Sequence, residues 1–415
     1  MISILHTADW HLGQTFFGFD RVAEHIHFLK WLKSKLVLED IDVLLISGDI
    51  FDVSNPSAQA QRQFYKFIQE VTELLPFIQI IVIAGNHDSA SRLEAPLPLV
   101  EDKRTYIKGL IHKEGNEIDY DHLIVPLYNK EKKIEAFCLA VPYLRQGDYP
   151  KVEAENPHAA GINELYLQLI ERVNSLRTES QGIVAMGHLQ TIGSDIAQID
   201  YSEKLIIGGL ESVSPKVFED LNYTALGHIH KSQKLSGCEH IRYAGSPLPM
   251  SFAERNYKHG VVKVVLNGSQ TISIDKIEYD PLVKLLSVPS KGAAYPEKVL
   301  ALLEDLPLSN DGDNRSLYPY LEVKVLLEEP EPMLSQKINS ILEDKAVRLA
   351  RVPNEFRRKS ILYEEGDVIE DLRSFTPFDL AQRVFQENYG TDMSDSLIQL
   401  FQEVCHNIEM GEVKS

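Results

Sequence analysis

A chain of 415 residues is too long for one average hydrophobic core and long enough for two or three domains. Its 44% hydrophobic and 25% charged residues are ordinary globular usage, no apolar run approaches the roughly 20 residues of a membrane span, and no basic leader precedes the first strand, so a cytoplasmic location is expected. The formal net charge of −19, from 42 Lys+Arg against 61 Asp+Glu, excludes a broadly basic surface; a phosphate backbone would have to be met locally, through metal ions or with a partner's help.

Ile2–His11 (ISILHTADWH) opens the chain as an apolar, β-branched run that ends on aspartate and histidine. Ala23–Leu38 follows with Ile26, Phe28, Leu29, Leu32 and Leu36 near one helical stripe; His25 and His27 sit inside it and read as packed or surface histidines. Val43–Asp52 (VLLISGDIFD) is a second run, Gln59–Leu75 a second helix with Phe64, Phe67, Ile68, Val71 and Leu75 on its stripe, and Ile78–Asp88 (IQIIVIAGNHD) a third run. A helix over Ile162–Leu176 leads into Ile183–His188 (IVAMGH), and Thr224–His230 (TALGHIH) is the fifth run. Continuous apolar runs mark strands buried on both faces, and ligands in α/β folds bind just beyond the carboxyl ends of such strands.

Past Asp280 the pattern changes. Pro281, Pro289, Pro296 and Pro307 punctuate short elements, Ser309–Asn314 reads as an exposed turn, Tyr320–Leu326 as a half-buried alternating strand and Leu334–Leu342 as a helix. The expected organisation is a catalytic domain over residues 1–280, a small α+β domain over 281–355, a linker over 356–375 and a helical segment over 376–412. Arg348, Arg351, Arg357, Arg358 and Lys359 form a basic cluster that reads as a solvated linker. In the tail, Thr376 caps a first helix that ends at Gly390, and Leu397, Leu400, Phe401, Val404, Cys405 and Ile408 share one face of a second. Helices this short must dock, onto their own chain or onto a partner. Cys138, Cys238 and Cys405 lack CxxC spacing, which suits a reducing compartment and argues against a zinc knuckle.

The run ends carry the chemistry. Asp9 and His11 alternate, so an extended segment would project both to one side with Trp10 pointing away; His228 and His230 repeat that spacing. Asp49, after Gly48, stands where a carboxylate can bridge two ions, Asn86 adds a neutral oxygen and His188 an imidazole. This mixed oxygen and nitrogen set suits manganese, iron or zinc better than calcium or magnesium. Two carboxylates crowded together, Asp9 and Asp49, would repel unless cations neutralise them.

The succession DxH, GDxxD, GNHD, GH and GHxH resembles the calcineurin-like metallophosphoesterase family. The resemblance implies an α/β, four-layer core in which two sheets are flanked by helices, followed by a small α+β capping domain and a helical tail. It implies two divalent ions, most simply manganese, one held by Asp9, His11, Asp49 and His230 and the other by Asp49, Asn86, His188 and His228. His87 would protonate the leaving oxygen, Asp52 would orient that histidine, and Asp88 would fix the local loop. ILHTADWHLGQ, GGLESVSPKVF, YTALGHIHKSQ and YAGSPLPMSFAERNYKHG further resemble the family's bacterial double-strand-break repair nucleases. That likeness implies a 3′-to-5′ exonuclease on duplex DNA, an endonuclease on single strands and hairpins, a coiled-coil ATPase partner docked on the tail, and a nuclease homodimer. A nucleotide phosphodiesterase or phosphatase of the same fold is the rival reading, and a non-catalytic scaffold a further one.

Overall fold

Each of the five apolar runs supplies a strand, in four cases shorter than the run: Ile2–Thr7, Val43–Ser47, Gln79–Ile83, Gly182–His188 and Tyr223–Gly227. The computed structural model describes residues 1–100, 104–115, 117–195, 212–235, 237–328 and 331–356, together with Phe378, Ala381, Gln382, Phe385, Gln386, Met393, Leu397, Ile398 and Phe401.

Three of these strands and Thr105–Lys108 run parallel in one sheet, extended by the antiparallel pair Gly260–Asn267 and Gln270–Glu278. The other two lie in a second sheet, where Ile134–Ala140, Gly182–His188, Tyr223–Gly227 and Cys238–Tyr243 are parallel and Ile124–Tyr128 and Gln233–Leu235 are antiparallel edges. Because side chains alternate along a strand, each sheet has two apolar faces to cover. Ile2, Ile4, Val43, Leu45, Ile81 and Ile83 meet Val125, Cys138, Val184, Met186 and Ala225 between the sheets. On the outer faces, Leu5, Leu44, Ile46 and Val82 pack under the helices Val22–Leu38 and Ala58–Leu74, while Leu139, Ile183, Ala185 and Leu226 pack under Pro157–Leu176. The result is the four-layer α/β core.

The first helix buries Phe28, Leu29, Leu32 and Leu36 as its stripe requires, but Ile26 is exposed and Glu24 and His25 take buried positions instead. Glu24 is drawn inward by the buried Arg21, whose Nη2 lies 2.9 Å from Glu24 Oε2 and whose Nη1 donates to Gln14 and to the Pro249 carbonyl. His27 is exposed and bonds the Tyr279 hydroxyl at 2.8 Å.

Met1–Phe356 make one compact unit, and Arg357–Ser415 another. Within the first, Val299, Leu303, Leu321, Val323, Val325, Leu334 and Ile338 close a separate small core around the parallel strands Leu285–Val288, Tyr320–Val323 and Arg348–Arg351 and the helices Pro296–Glu304 and Leu334–Leu342. Tyr320–Val323 is buried at every position rather than alternating, because it is the central strand of that sheet and is covered on both faces. Its Glu322 is neutralised by Arg351, whose Nε donates at 2.7 Å. Arg348 and Arg351 are therefore not part of a solvated linker: Arg348 lies 4.0 Å over the Tyr320 ring and Arg351 5.4 Å over both Phe17 and Phe252. Rings beside a guanidinium supply the attraction that water would otherwise supply. Arg357, Arg358 and Lys359 lie outside the described residues. So do the tail's expected cap Thr376, its stop Gly390, and Leu400, Val404, Cys405 and Ile408; of the tail positions described, Phe378, Leu397 and Phe401 are helical, with the Phe378 and Phe401 rings 6.0 Å apart.

Candidate metal centre

Five carboxyl strand ends, three from one sheet and two from the other, meet at one edge of the sandwich, and every expected ligand sits on the loop or strand end there. Asp9 follows Ile2–Thr7, Asp49 follows Val43–Ser47, Asn86 and His87 follow Gln79–Ile83, His188 ends its strand, and His228 and His230 follow Tyr223–Gly227. The first two loops are laced together by main-chain bonds from Asp9 N to Gly48 O and from His11 N to Asp49 O, both 3.0 Å.

The Asp9–His11 segment is not extended. Asp9 (φ 54°), His11 (φ 45°), Asp49 (φ 48°) and His228 (φ 96°) all lie in the left-handed region, half of the eight non-glycine residues that do so among those described. Each such residue costs on the order of 1 to 3 kcal/mol and persists only where its surroundings hold it. Trp10 provides part of that hold: it does point away, fully buried against the edges of Phe28, Phe64 and Phe67, with its Nε1 donating to Thr7 Oγ1 at 2.9 Å. Gly48 and Gly85 are dictated by closeness. A methyl on Gly48 would fall 2.1 Å from His188 Nδ1, and one on Gly85 2.0 Å from Asp49 Oδ1.

One group of ligands converges on His188. Its Nδ1 donates to the Ser47 carbonyl at 2.9 Å, which leaves Nε2 as the nitrogen that could coordinate, 2.9 Å from Asn86 Oδ1 and 3.3 Å from Asp49 Oδ2. His228 Nδ1 lies 3.2 Å from the same Asn86 oxygen, and its main-chain N–H donates to Asp9 Oδ1 at 2.9 Å. A second group meets the same Asp49 oxygen. His11 Nε2 is 3.6 Å from Asp49 Oδ2, and the His11 and His230 rings are 5.2 Å apart. His230 Nδ1 is held 3.2 Å from the fully buried Glu254, which also accepts from Met250 N at 2.9 Å. Glu254 was invisible to sequence reasoning: one acidic residue in a loop has neither spacing nor periodicity to mark it.

Asp52 and His87 are together, but not as expected. His87 Nδ1 bonds the main-chain carbonyl of Asp52 at 2.7 Å, while the Asp52 carboxylate faces His11 Nδ1 at 3.3 Å. His87 N donates to Asp49 Oδ1 at 2.9 Å, so the histidine's backbone is fixed by the shared carboxylate. Asp88 is a loop clamp, accepting from Gly85, Ile50 and Phe51 main-chain N–H groups at 2.8 to 3.1 Å. Burial, then the nearby Asp49 charge, pushes its carboxyl up to about 6.

The donor set fits cations. Asp9 Oδ2 and His11 Nε2 are buried without a hydrogen-bond partner, an arrangement that is costly unless an ion occupies them. Burial raises the Asp9 carboxyl; burial also acts to raise that of Asp49, but the His188, His11 and His87 charges outweigh it and hold Asp49 low. Burial alone would lower His188, yet the Asp49 and Asp9 carboxylates carry it up to about 9, so a proton stands where a cation would. Burial and the His188 charge press His228 down to about 3, leaving it a neutral donor.

Residues 2–232 match the family described as calcineurin-like phosphoesterase, and residues 281–389 match the one described as type 5 capsule protein repressor C-terminal domain. The SbcD subunit of the SbcCD nuclease of Rhodobacter capsulatus is 34% identical over 84% of this chain and 86% of its own. That of Escherichia coli is 26% identical over 98% of each, and that of Bacillus subtilis 32% identical over 63% of this chain and 65% of its own.

Proposed function

This chain belongs to the calcineurin-like phosphoesterase family and, within it, to the SbcD nucleases, a metal-dependent class of phosphodiester hydrolases; from that premise we propose the roles of its residues, its substrate and its partner. Asp9, His11, Asp49 and His230 hold one divalent ion and Asp49, Asn86, His188 and His228 the other, manganese being the metal of choice for this donor set. When bound, such ions acidify a water and neutralise the phosphoryl oxygens. The observation that carries the reading is the convergence of His188 Nε2 and His11 Nε2 on the same oxygen, Asp49 Oδ2, at 3.3 and 3.6 Å.

The chain's own residues then do the following. Glu254 and the Ser47 carbonyl each take the Nδ1 proton of a ligand histidine, setting the tautomer that presents Nε2. The Asp52 carbonyl accepts from His87 Nδ1, so that in the doubly protonated ring Nε2–H is the group that hands a proton to the departing sugar oxygen and leaves the ring neutral. Acid assistance of this kind contributes about 100-fold to 10,000-fold. Asp52 acts as a positioning residue, through its main chain on His87 and its carboxylate on His11.

The substrate is DNA, cut 3′ to 5′ from duplex ends and endonucleolytically at single strands and hairpins. The partner is an SbcC-type coiled-coil ATPase that docks on the helical tail, with two nuclease chains per assembly. The relatives' designation as one component of a nuclease named SbcCD supports this, as does a surface too acidic to hold a phosphate backbone unaided. No helix among the described residues is long and apolar enough to cross a membrane. The test is cleavage of an end-labelled duplex with manganese, with and without the ATPase, alongside a phosphate monoester. His87→Ala should lower cleavage by about 100-fold or more while manganese affinity, read by titration calorimetry, stays within a few-fold; unchanged turnover would remove His87 from the mechanism, and preference for the monoester would favour a phosphatase.

A further inference from the structure

At the outer edge of the first sheet, Glu94, His112 and His122 each offer one ligand atom, all within 4.8 Å of one another. Glu94 ends the short helix Ala90–Glu94, and its Oε1 accepts from the main-chain N–H groups of Gly109 and Leu110 at 2.6 and 2.9 Å. That fixes the carboxylate and turns Oε2 toward His112, whose Nε2 is 3.5 Å away. His122, on the turn Asp121–Leu123, stacks on His112 with ring centroids 3.9 Å apart and planes 10° from parallel.

We propose that these three side chains bind a first-row transition ion of the zinc class, at a site separate from the hydrolytic centre. Two imidazoles and one carboxylate are a donor set for zinc, nickel or cobalt rather than for magnesium or calcium, and three protein ligands leave a coordination position for water. One lone pair is already in place: Lys108 Nζ, which can only donate, sits 3.5 Å from His122 Nε2, so that nitrogen is an acceptor, while His112 Nε2 faces the Glu94 carboxylate and gives up its proton as the ion binds. Burial, then the Lys108 and His112 charges, lowers the pKa of His122 and keeps its ring neutral. Binding displaces the Lys108 ammonium from the cluster and turns one ring out of the stack; His112, 44% exposed, has the room to turn. The ion would clamp the helix that follows Asp88 to the chain leaving the strand Thr105–Lys108, and so brace the loop that carries Asn86 and His87. Those two segments already touch closely, since a methyl on Gly109 would fall 2.4 Å from the Ala90 carbonyl oxygen.

The experiment equilibrates the full chain with zinc chloride, dialyses it, and counts zinc per chain by plasma mass spectrometry. The wild type should retain one equivalent more than His112→Gln and than Glu94→Gln, and His112→Gln should cleave DNA with manganese at the wild-type rate. An Asp49→Asn chain should lose zinc from the hydrolytic centre yet keep the His112-dependent equivalent. Equal zinc in wild type and both variants overturns the site, and loss of that equivalent with Asp49→Asn overturns its separateness. Because Glu94→Gln keeps the acceptor oxygen for Gly109 and Leu110, and His112 is exposed, matching thermal unfolding of the metal-free chains shows that the variants are folded.

Discussion

Replacing Gly85 by alanine adds one methyl group 2.0 Å from Asp49 Oδ1 and 2.3 Å from Asp49 N. Ordinary contact begins near 3.4 Å, so the Asp49 carboxylate has to retreat by about 1.4 Å, and the Asp49 main-chain nitrogen at 2.3 Å has to give way as well. Gly85 does not use the left-handed region, so the collision is the whole of the perturbation. Asp49 Oδ2 meets His188 and His11, and Oδ1 accepts from the His87 main chain, so its retreat would disturb both proposed ion positions and the proposed acid together. A misplacement of about 1 Å at a reacting centre costs on the order of 100-fold. We therefore expect Gly85→Ala to lower manganese-dependent cleavage of bis(p-nitrophenyl) phosphate by at least about 100-fold, or about 2.7 kcal/mol of activation free energy. Stability should fall by about 1 to 3 kcal/mol, as for other overpacked cores. Turnover at saturating metal and urea denaturation followed by circular dichroism measure the two effects. A folded Gly85→Ala enzyme with a third or more of wild-type turnover would mean that Asp49 does not hold the geometry on which hydrolysis depends.

Activity should vanish in excess EDTA and return with manganese; full activity in the chelator would end the two-ion reading. Glu254→Gln should weaken manganese binding by about 10-fold to 100-fold in titration calorimetry, because His230 loses the carboxylate that orients it. Deleting residues after Ser374 should abolish co-purification with the coiled-coil ATPase and leave manganese affinity intact, and a truncated chain that still binds the ATPase refutes the docking assignment. Stability should also carry the signature of His6, which is buried between the sheets against the Tyr223 hydroxyl at 2.9 Å and which burial lowers to about 3 from 6.5. The unfolded chain binds that proton first, so the contribution is complete above about pH 6.5 and is lost as pH falls toward 3. Between pH 6.5 and 5.0 the wild type should lose about 2 kcal/mol more than His6→Gln in urea denaturation, and parallel pH profiles would show that His6 is hydrated.

The residues that converge at the edge of the sandwich were legible because a strand buried on both faces leaves an unbroken apolar run, and the abrupt arrival of Asp, Asn and His after such a run has no packing explanation. Val43–Ser47 before Asp49 and Gly182–His188 are of this kind. The local backbone was not legible. Alternation of Asp9 and His11 suggested an extended segment, whereas the pair of left-handed residues is stabilised by Trp10 among rings contributed by two distant helices. Arg348 and Arg351 read as solvated because a basic run looks the same in sequence whether water or aromatic faces surround it; Phe17, Phe252 and Tyr320 come from other elements. The strands Ile124–Tyr128, Ile134–Ala140 and Gly260–Asn267 bring no ligand to their ends, so chemistry could not reveal them.

The Tyr320 hydroxyl donates to Glu24 Oε1 at 2.7 Å, and Glu24 in turn grips Arg21, which reaches Gln14, three residues past His11. The small core is thus keyed to the larger one by a tyrosine hydroxyl set on a buried carboxylate that an arginine already neutralises. Parting the two cores would take that hydroxyl from Glu24 while leaving Glu24 paired with Arg21, so the joint opens at the cost of one buried hydrogen bond. A shift at Tyr320 reaches the loop that carries His11 through Glu24, Arg21 and Gln14, whose main-chain N–H donates to the His11 carbonyl at 3.0 Å.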